Sequence, residues 1–397
     1  MNKAPRSRRV GRGPVSPAAM SLVACLAVLA CSLAVTVLSV RAVSFRPRGA
    51  AVPPTRIAAE QATPAPLASK VRPPSKGAYL GIFHPPAPFK VSAVSTYTKL
   101  ARKAPSIVMW FQSWSGSQKA FDKVKAVSLW ERNIVPLISW EPWAPGTSPR
   151  NLAHPAIASA WRLKKITAGK YDGYITSYAR AVKAAGGPVM ISPFHEMNGR
   201  WYPWGGTVNG NKPADLIRAW RHVHHIFHKV GASNVTWVWS LNNQSIPTTW
   251  RNRWAAYYPG DAYVDWVGMS GYNWGRASSF SRWHSFEHID HAVLSYLKSK
   301  HKPVIITEIA SVEQGGNKAS WLSAMFRRIR AGHPEVKAVI YYDAKQHQGG
   351  HTQDWRINST KKSLAAYRAA IGSSYWVGVG PTALSDWFRV AASRNVR

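Results

Sequence analysis

Val189-Met190-Ile191-Ser192-Pro193-Phe194-His195-Glu196 is the stretch on which the reading of this chain turns. Its first six residues are nearly all apolar, short enough for a strand and without polar alternation. That pattern describes a strand buried on both faces. It ends abruptly at a histidine and a glutamate. Seven further runs share this character, at residues 79–83, 106–111, 134–140, 235–240, 264–270, 304–307 and 338–342. Helical patterns or long loops separate them. In the clearest helix, Leu216, Trp220, Val223, Phe227 and Val230 share one face, with Pro213 near the start and Gly231 just past the end. A second passes through Trp321, Met325 and Ile329 and stops near Gly332. Eight buried strands alternating with helices over nearly three hundred residues predict an α/β fold, a (β/α)8 TIM barrel.

Working outward, the barrel is expected to occupy 77–372, followed by a segment at 373–397 without a usable periodicity. Before it, residues 43–76 are rich in Pro, Ala and Arg and read as a semi-extended, disordered linker. Residues 1–17 carry Lys3, Arg6, Arg8, Arg9 and Arg12, ahead of an uncharged apolar run at 18–40. That run is long enough to span a bilayer, and the preceding charges predict a cytoplasmic N-terminus. The segment 18–42 is therefore read as a transmembrane signal anchor, with a cleaved signal peptide as the alternative, so the protein is expected to be extracytoplasmic, either membrane-anchored or secreted. Cys25 and Cys31 both lie in this run. With no cysteine beyond it, a disulfide framework, Cys-ligated zinc and a thiol nucleophile are excluded for the barrel.

The chain of 397 residues has a formal net charge of +35 and contains 20 Trp. A charge of that sign draws a protein towards anionic lipid, acidic wall polymers or nucleic acid. The Lys and Arg are spread along the chain, however, and no basic run interleaved with aromatics marks a nucleic-acid reader.

Reactive groups of a TIM barrel belong at the C-terminal ends of its strands. The fourth run ends in His195-Glu196-Met197-Asn198-Gly199, followed by Arg200-Trp201-Tyr202-Pro203-Trp204-Gly205. The third leads into Trp140-Glu141-Pro142-Trp143, the sixth into Gly271-Tyr272-Asn273-Trp274, and the seventh ends in Thr307-Glu308. Two carboxylates among aromatic platforms are what glycosidic cleavage requires. One carboxylic acid protonates the departing oxygen, and the other stabilises or attacks the oxocarbenium-like carbon. Glu196 and Glu308 are the candidates, and a separation of about 5–5.5 Å between them would mean retention through a covalent intermediate. Trp140, Trp201, Trp204 and Trp274 are read as substrate platforms. Glu141 is an extra acid at a strand end, expected to bind substrate in preference to bracing the rim. Trp161, Trp220 and Trp321 read as packing residues. A glutamate at a strand end is also often a rim salt bridge, and that ordinary reading weighs more on Glu308 than on Glu196.

The run from His195 to Gly205 resembles the signature of glycoside hydrolase family 26, best known for endo-β-mannanases. Thr307-Glu308, the Gly271-Tyr272-Asn273-Trp274 segment and Asp354-Trp355-Arg356 follow in the family's order, and the likeness covers roughly residues 79–371. The resemblance implies Glu196 as acid/base and Glu308 as nucleophile. It implies His195 touching the sugar near the reacting carbon and Tyr272 orienting Glu308 by a hydrogen bond. It places Trp201 and Trp355 at the subsite of the cleaved bond and Arg356 at a neighbouring one. The family also acts on mixed-linkage β-glucan and β-1,3-xylan, so its name does not fix the sugar.

The dense group His222, His224, His225 and His228 reads as a solvated helix face, as do His284, His288 and His291. His195-Glu196 does not start a zinc-protease motif, because position 199 is Gly. No metal and no cofactor is expected. The leading expectation is a monomeric retaining endo-β-glycanase acting on β-1,4-mannan, with β-glucan or xylan as alternatives. Its partners are the polysaccharide, a membrane through the N-terminal segment, and anionic cell-surface polymers, but not nucleic acid. From another class, a catalytically inactive barrel that binds wall polysaccharide would fit the same composition, and an acidic polysaccharide substrate would account for the charge.

Overall fold

A computed structural model describes residues 70–144, 159–348 and 350–378. The N-terminal basic segment, the apolar run, linker residues 43–69 and the tail beyond 378 lie outside the described residues, and so do the expectations placed on them. Among the described residues, no helix is long and apolar enough to cross a membrane.

Eight strands run parallel and close on themselves. They are β1 (Ala78–Phe83), β2 (Ile107–Ser113), β3 (Val135–Glu141), β4 (Val189–Pro193), β5 (Val235–Asn242), β6 (Trp266–Asn273), β7 (Val304–Ser311) and β8 (Val336–Tyr342). Neighbours pair in chain order, and β1 closes on β8 from Tyr79↔Ala338 to Phe83↔Tyr342. Burial on both faces explains why the strands carry apolar runs without alternation; all residues of β3, β4 and β7 are buried. The eight expected runs are the eight barrel strands.

The outer layer is α1 (Val91–Ala101), α2 (Lys123–Trp130), α3 (Leu163–Thr167), α4 (Asp172–Ala185), α5 (Pro213–Val230), α6 (Phe286–Lys298), α7 (Lys318–Gly332) and α8 (Lys361–Ile371). Helix α5 shows how its sequence sets its limits. Pro213 opens it, the Asp215 carboxylate accepts the Lys212 N–H at 2.8 Å, and Gly231 closes it in the left-handed region. One connection departs from the regular pattern. Between β5 and β6 the described chain forms three short 3-10 turns, Trp250–Asn252, Trp254–Tyr257 and Asp261–Tyr263, in place of an α-helix.

Packing begins ahead of Gly77. The buried Val71 donates its N–H to the Thr236 hydroxyl at 2.7 Å, and its carbonyl accepts the Trp266 indole N–H at 2.9 Å. Lys70 bridges to Asp265 at 2.8 Å. Thr236, Asp265 and Trp266 lie at the starts of β5 and β6, so the incoming chain crosses the barrel's N-terminal end. At the other terminus a short strand β11 (Trp376–Val377) adds in parallel to β1, and β9 (Lys345–Gln348) with β10 (His351–Asp354) forms a hairpin after β8.

Candidate active site

Beyond Pro193 the β4 strand gives way to a sharp turn. Phe194 and Glu196 both adopt left-handed backbone conformations, at φ 55 and 52°. Non-glycine residues rarely hold such angles unless their surroundings fix them. Here the Glu196 N–H donates to the Ser240 carbonyl at 3.0 Å, and the Gly199 N–H returns to the Glu196 carbonyl at 2.8 Å. The turn aims Glu196 into the mouth of the barrel. Glu308 arrives from β7 next to a second irregularity: pairing with β8 shifts between Ile306 and Ile309, and pairing with β6 shifts between Met269 and Ser270. Such shifts re-aim side chains at barrel rims.

Both carboxylates line one cavity of about 370 Å³, together with Phe111, Trp201, Tyr202, Asn242, Tyr272, Trp274, Tyr342 and Trp355. Glu196 is held by three contacts. The Trp201 indole N–H donates to Oε2 at 2.7 Å, Asn242 Nδ2 donates to Oε1 at 2.9 Å, and the Ser270 hydroxyl meets the same Oε1. Ser270 Oγ also lies 3.5 Å from the Leu241 carbonyl. A protonated Oε1 can therefore donate to Ser270 while that hydroxyl turns to Leu241, so the pocket accommodates either protonation state of Glu196. Glu308 receives the Tyr272 hydroxyl on Oε2 at 2.5 Å, leaving Oε1 directed towards His195 Nδ1 at 3.8 Å.

Burial raises the Glu308 carboxyl first, and the charge of Glu196 adds to it. His195 and the Tyr272 hydrogen bond oppose them, and the group is pushed up to about 8. His195 is buried, which works against its charge. Its contact with Glu141 and the charges of Glu141, Glu308 and Glu196 prevail, and its pKa is raised.

Trp201, Tyr272, Trp274 and Trp355 line the cavity; the five other residues expected to meet substrate, His195 among them, do not. Trp140 is fully buried in the barrel wall, 4.5 Å from the Tyr178 ring and edge-on to Phe227. Strand alternation decides this: Trp140 precedes the inward-directed Glu141 and so faces the helices. Trp204 is also fully buried, stacked at 4.2 Å on Tyr202, with its indole N–H donating to the His195 carbonyl at 2.8 Å. It braces the turn from behind. Glu141 holds His195 Nε2 at 3.1 Å and accepts the Trp143 indole at 3.1 Å; it orients the buried His195 ring, whose Nδ1 faces Glu308 at 3.8 Å. Arg356 forks onto Asp354 at 2.8 and 2.6 Å and does not line the cavity. On α5, His222 pairs with Asp172, and His224 packs edge-on against Tyr263.

Phe111, Asn242, Ser270 and Tyr342 were not singled out in the sequence. They sit at the ends of β2, β5, β6 and β8, where strand-end position was the available signal. Lys318 had none. It is buried at the start of α7, and its ammonium donates to the Asp354 and Arg356 carbonyls at 3.1 and 2.7 Å and to Ser359 Oγ at 2.9 Å. It thereby clamps the loop that carries Trp355.

The model of glycosyl hydrolase family 26 matches residues 161–311, the stretch that contains both Glu196 and Glu308. The chain resembles glycosyl hydrolase family 26. That agrees with the resemblance carried by the His195–Gly205 motif. Among curated proteins, Endoglucanase H of Acetivibrio thermocellus is 36% identical over 299 residues, which cover 75% of this chain and 30% of that protein. The mannan endo-1,4-β-mannosidase of Bacillus subtilis is 26% identical over 263 residues, 61% of this chain and 62% of the enzyme. The chain thus spans less than two thirds of the length of both relatives. Among solved structures, the family 26 β-mannanase of Bacteroides ovatus aligns with a TM-score of 0.54 at 15% identity, over 78% of this chain and 92% of that one. At that identity the likeness bears on the barrel fold alone.

The Trp201 contact is testable. A side chain at Gly199 would meet the Trp201 ring at 2.4 Å, so only glycine leaves room for the indole to reach Glu196. Trp201→Phe deletes the donor and keeps most of the ring; Gly199→Ala displaces the ring. Each is expected to lower kcat on polysaccharide by about 10–100-fold, the cost of one hydrogen bond to a charged group. Unchanged kcat in both variants would show that the indole does not support Glu196.

Proposed function

We propose that the barrel hydrolyses internal bonds of a β-linked polysaccharide with retention of configuration. Glu196 serves as acid/base and Glu308 as nucleophile. The observation that carries this reading is the arrangement of two buried carboxylates, with different hydrogen-bond partners, lining one aromatic cavity at the strand C-termini. Glu196 gives its proton to the departing glycosidic oxygen while Glu308 Oε1 bonds to the anomeric carbon. The Tyr272 hydroxyl occupies the other oxygen of Glu308 and so selects the attacking one. Glu196, now ionised, takes a proton from water, whose oxygen displaces Glu308 and regenerates both carboxyls.

The nucleophile attacks as a carboxylate, and burial together with the charge of Glu196 pushes Glu308 up to about 8. Activity is therefore expected to rise as pH rises through about 8, as Glu308 ionises. A profile of kcat/KM that is flat from about pH 6 to about pH 9 would contradict a raised Glu308.

The substrate is proposed as β-1,4-mannan. A second reading, a β-glucan, is favoured by the 36% identity to an endoglucanase, although this chain matches less than a third of that protein. Incubation with mannan, mixed-linkage β-glucan, β-1,3-xylan and an anionic polysaccharide, with products analysed by mass and linkage, separates these. Short oligosaccharides of initially β configuration by NMR support a retaining endo-enzyme. Turnover of none, with retained affinity for one, would replace the enzyme by a binding module.

A further inference from the structure

We propose that the barrel's closed end is a docking face for an anionic lipid surface, and that it holds the mouth of the cavity outward. In a parallel barrel every helix runs back from the mouth, so helix C-termini and the loops after them gather at the opposite end. That end is cationic. Lys183, Lys229, Lys298 and Arg330 stand in the last turns of α4, α5, α6 and α7, and Arg102 and Arg132 stand in the loops after α1 and α2. All six are exposed, and none is bridged to a carboxylate among the described residues. Lys183 and Arg132 do donate to carbonyls, which leaves their charge uncompensated. Acids are sparse here: Glu131, Asp261, Asp265 and Glu335, of which Asp265 is already taken by Lys70. The mouth has lysines too, among them Lys123, Lys164, Lys212, Lys361 and Lys362, but there the helix N-termini also carry Asp172, Asp215 and Glu287.

Cations at helix C-termini also complement the helix dipole. Arg102, the residue that ends α1, and Arg132, which donates to the Ser128 carbonyl in the last turn of α2, do the same, and both remain exposed. The occupant is indicated by where the chain enters. Val71 is pinned to Thr236 and Trp266 at this same end, and the 69 residues before Lys70 include the uncharged apolar run at 18–40. The chain enters at the cationic face, and residues 41–69 join that face to an apolar, bilayer-length segment, so this end is the one tethered towards lipid headgroups, whose negative potential attracts clustered Lys and Arg within about one Debye length. The cavity, at the other end of the barrel, then opens towards solvent and long polysaccharide.

The test uses the full chain with Cys25 and Cys31 replaced by Ser, so that one introduced thiol can be labelled. Ser299→Cys reports the closed end and Ala214→Cys the mouth. With phosphatidylglycerol/phosphatidylcholine vesicles carrying a headgroup quencher, the label at 299 should be quenched several-fold more than the label at 214. The difference should vanish in 0.5 M salt, and when Arg102, Arg132, Lys183, Lys229, Lys298 and Arg330 are all replaced by Glu in a variant of unchanged circular dichroism. Should that variant fail to fold, pure phosphatidylcholine vesicles provide the same comparison and should also remove the difference. Equal quenching at both positions, quenching indifferent to lipid charge, or binding to an anionic wall polymer but not to vesicles overturns the proposal. Polysaccharide hydrolysis plays no part in the readout, so failure here leaves the catalytic reading untouched.

Discussion

Glu308→Gln is expected to lower kcat on polysaccharide by at least about ten-thousand-fold, with binding of the polymer largely retained. The amide keeps the volume and can still accept from Tyr272, but it cannot form the glycosyl ester. Glu196→Gln should cost as much on an unactivated polymer, because the leaving oxygen then departs without a proton. The two variants part company with an activated aryl glycoside, whose leaving group needs no acid. Glu196→Ala should cleave it quickly to the glycosyl stage, and added azide should speed turnover and give a product of retained configuration. Glu308→Ala should yield an inverted azide, since azide then attacks in place of the missing nucleophile. Reversal of the two stereochemical outcomes would exchange the roles. More than about a hundredth of wild-type activity in Glu308→Gln would remove Glu308 from the chemistry.

The largest stability effect is expected at Asp290, behind β6. Its side chain is fully buried on α6, neither oxygen has a hydrogen-bond partner among the described residues, and it lies where a Cβ on Gly271 would fall, at 2.5 Å. Burial, with the charge of Glu287 adding to it, holds this carboxyl well above the usual range. A carboxyl raised in the folded state keeps its proton there after the unfolded chain has released it. Stability is therefore full below the unfolded value near 4 and declines as pH rises through the folded one. Asp290→Asn removes that titration, so denaturant unfolding at pH 8 should show a gain of roughly 1–3 kcal/mol that disappears by about pH 4. A loss at pH 8 would mean that the carboxylate has a partner that pays for its burial. The position is adjacent to Gly271, between Ser270 and Tyr272, which touch the two catalytic candidates. A measurable change in the pH profile of kcat in the same variant would show that the outer layer communicates with the site.

The strands were legible because burial on both faces leaves no alternation to confuse with anything else, and eight such runs admit few architectures. Helix α5 was legible from its apolar stripe and its Pro and Gly boundaries. The catalytic candidates stood out because a carboxylate directly after an apolar strand has no packing reason to be there. What misled was the aromatic residues. Trp140 and Trp204 have the same identity and a similar rim position to Trp201 and Trp274, yet strand alternation and ring stacking turn them away from the cavity. Glu141 was recognised as unusual, but its partner His195 is 54 positions away in the chain, and no local pattern announces a pairing at that distance.

By itself the sequence determined the barrel, the order of its strands, the apolar run with its basic flank, and the two glutamates that follow the apolar runs of strands four and seven, although strand seven continues past Glu308 to Ser311. These are properties of local composition and period, which a chain carries wherever it is read. The tertiary structure alone decided which side chains share the cavity, that Trp201, Asn242 and Ser270 hold Glu196 while Tyr272 holds Glu308, and that Lys318 secures the Trp355 loop. Those are matters of distance between residues remote in sequence, and closure of the barrel is what brings them together.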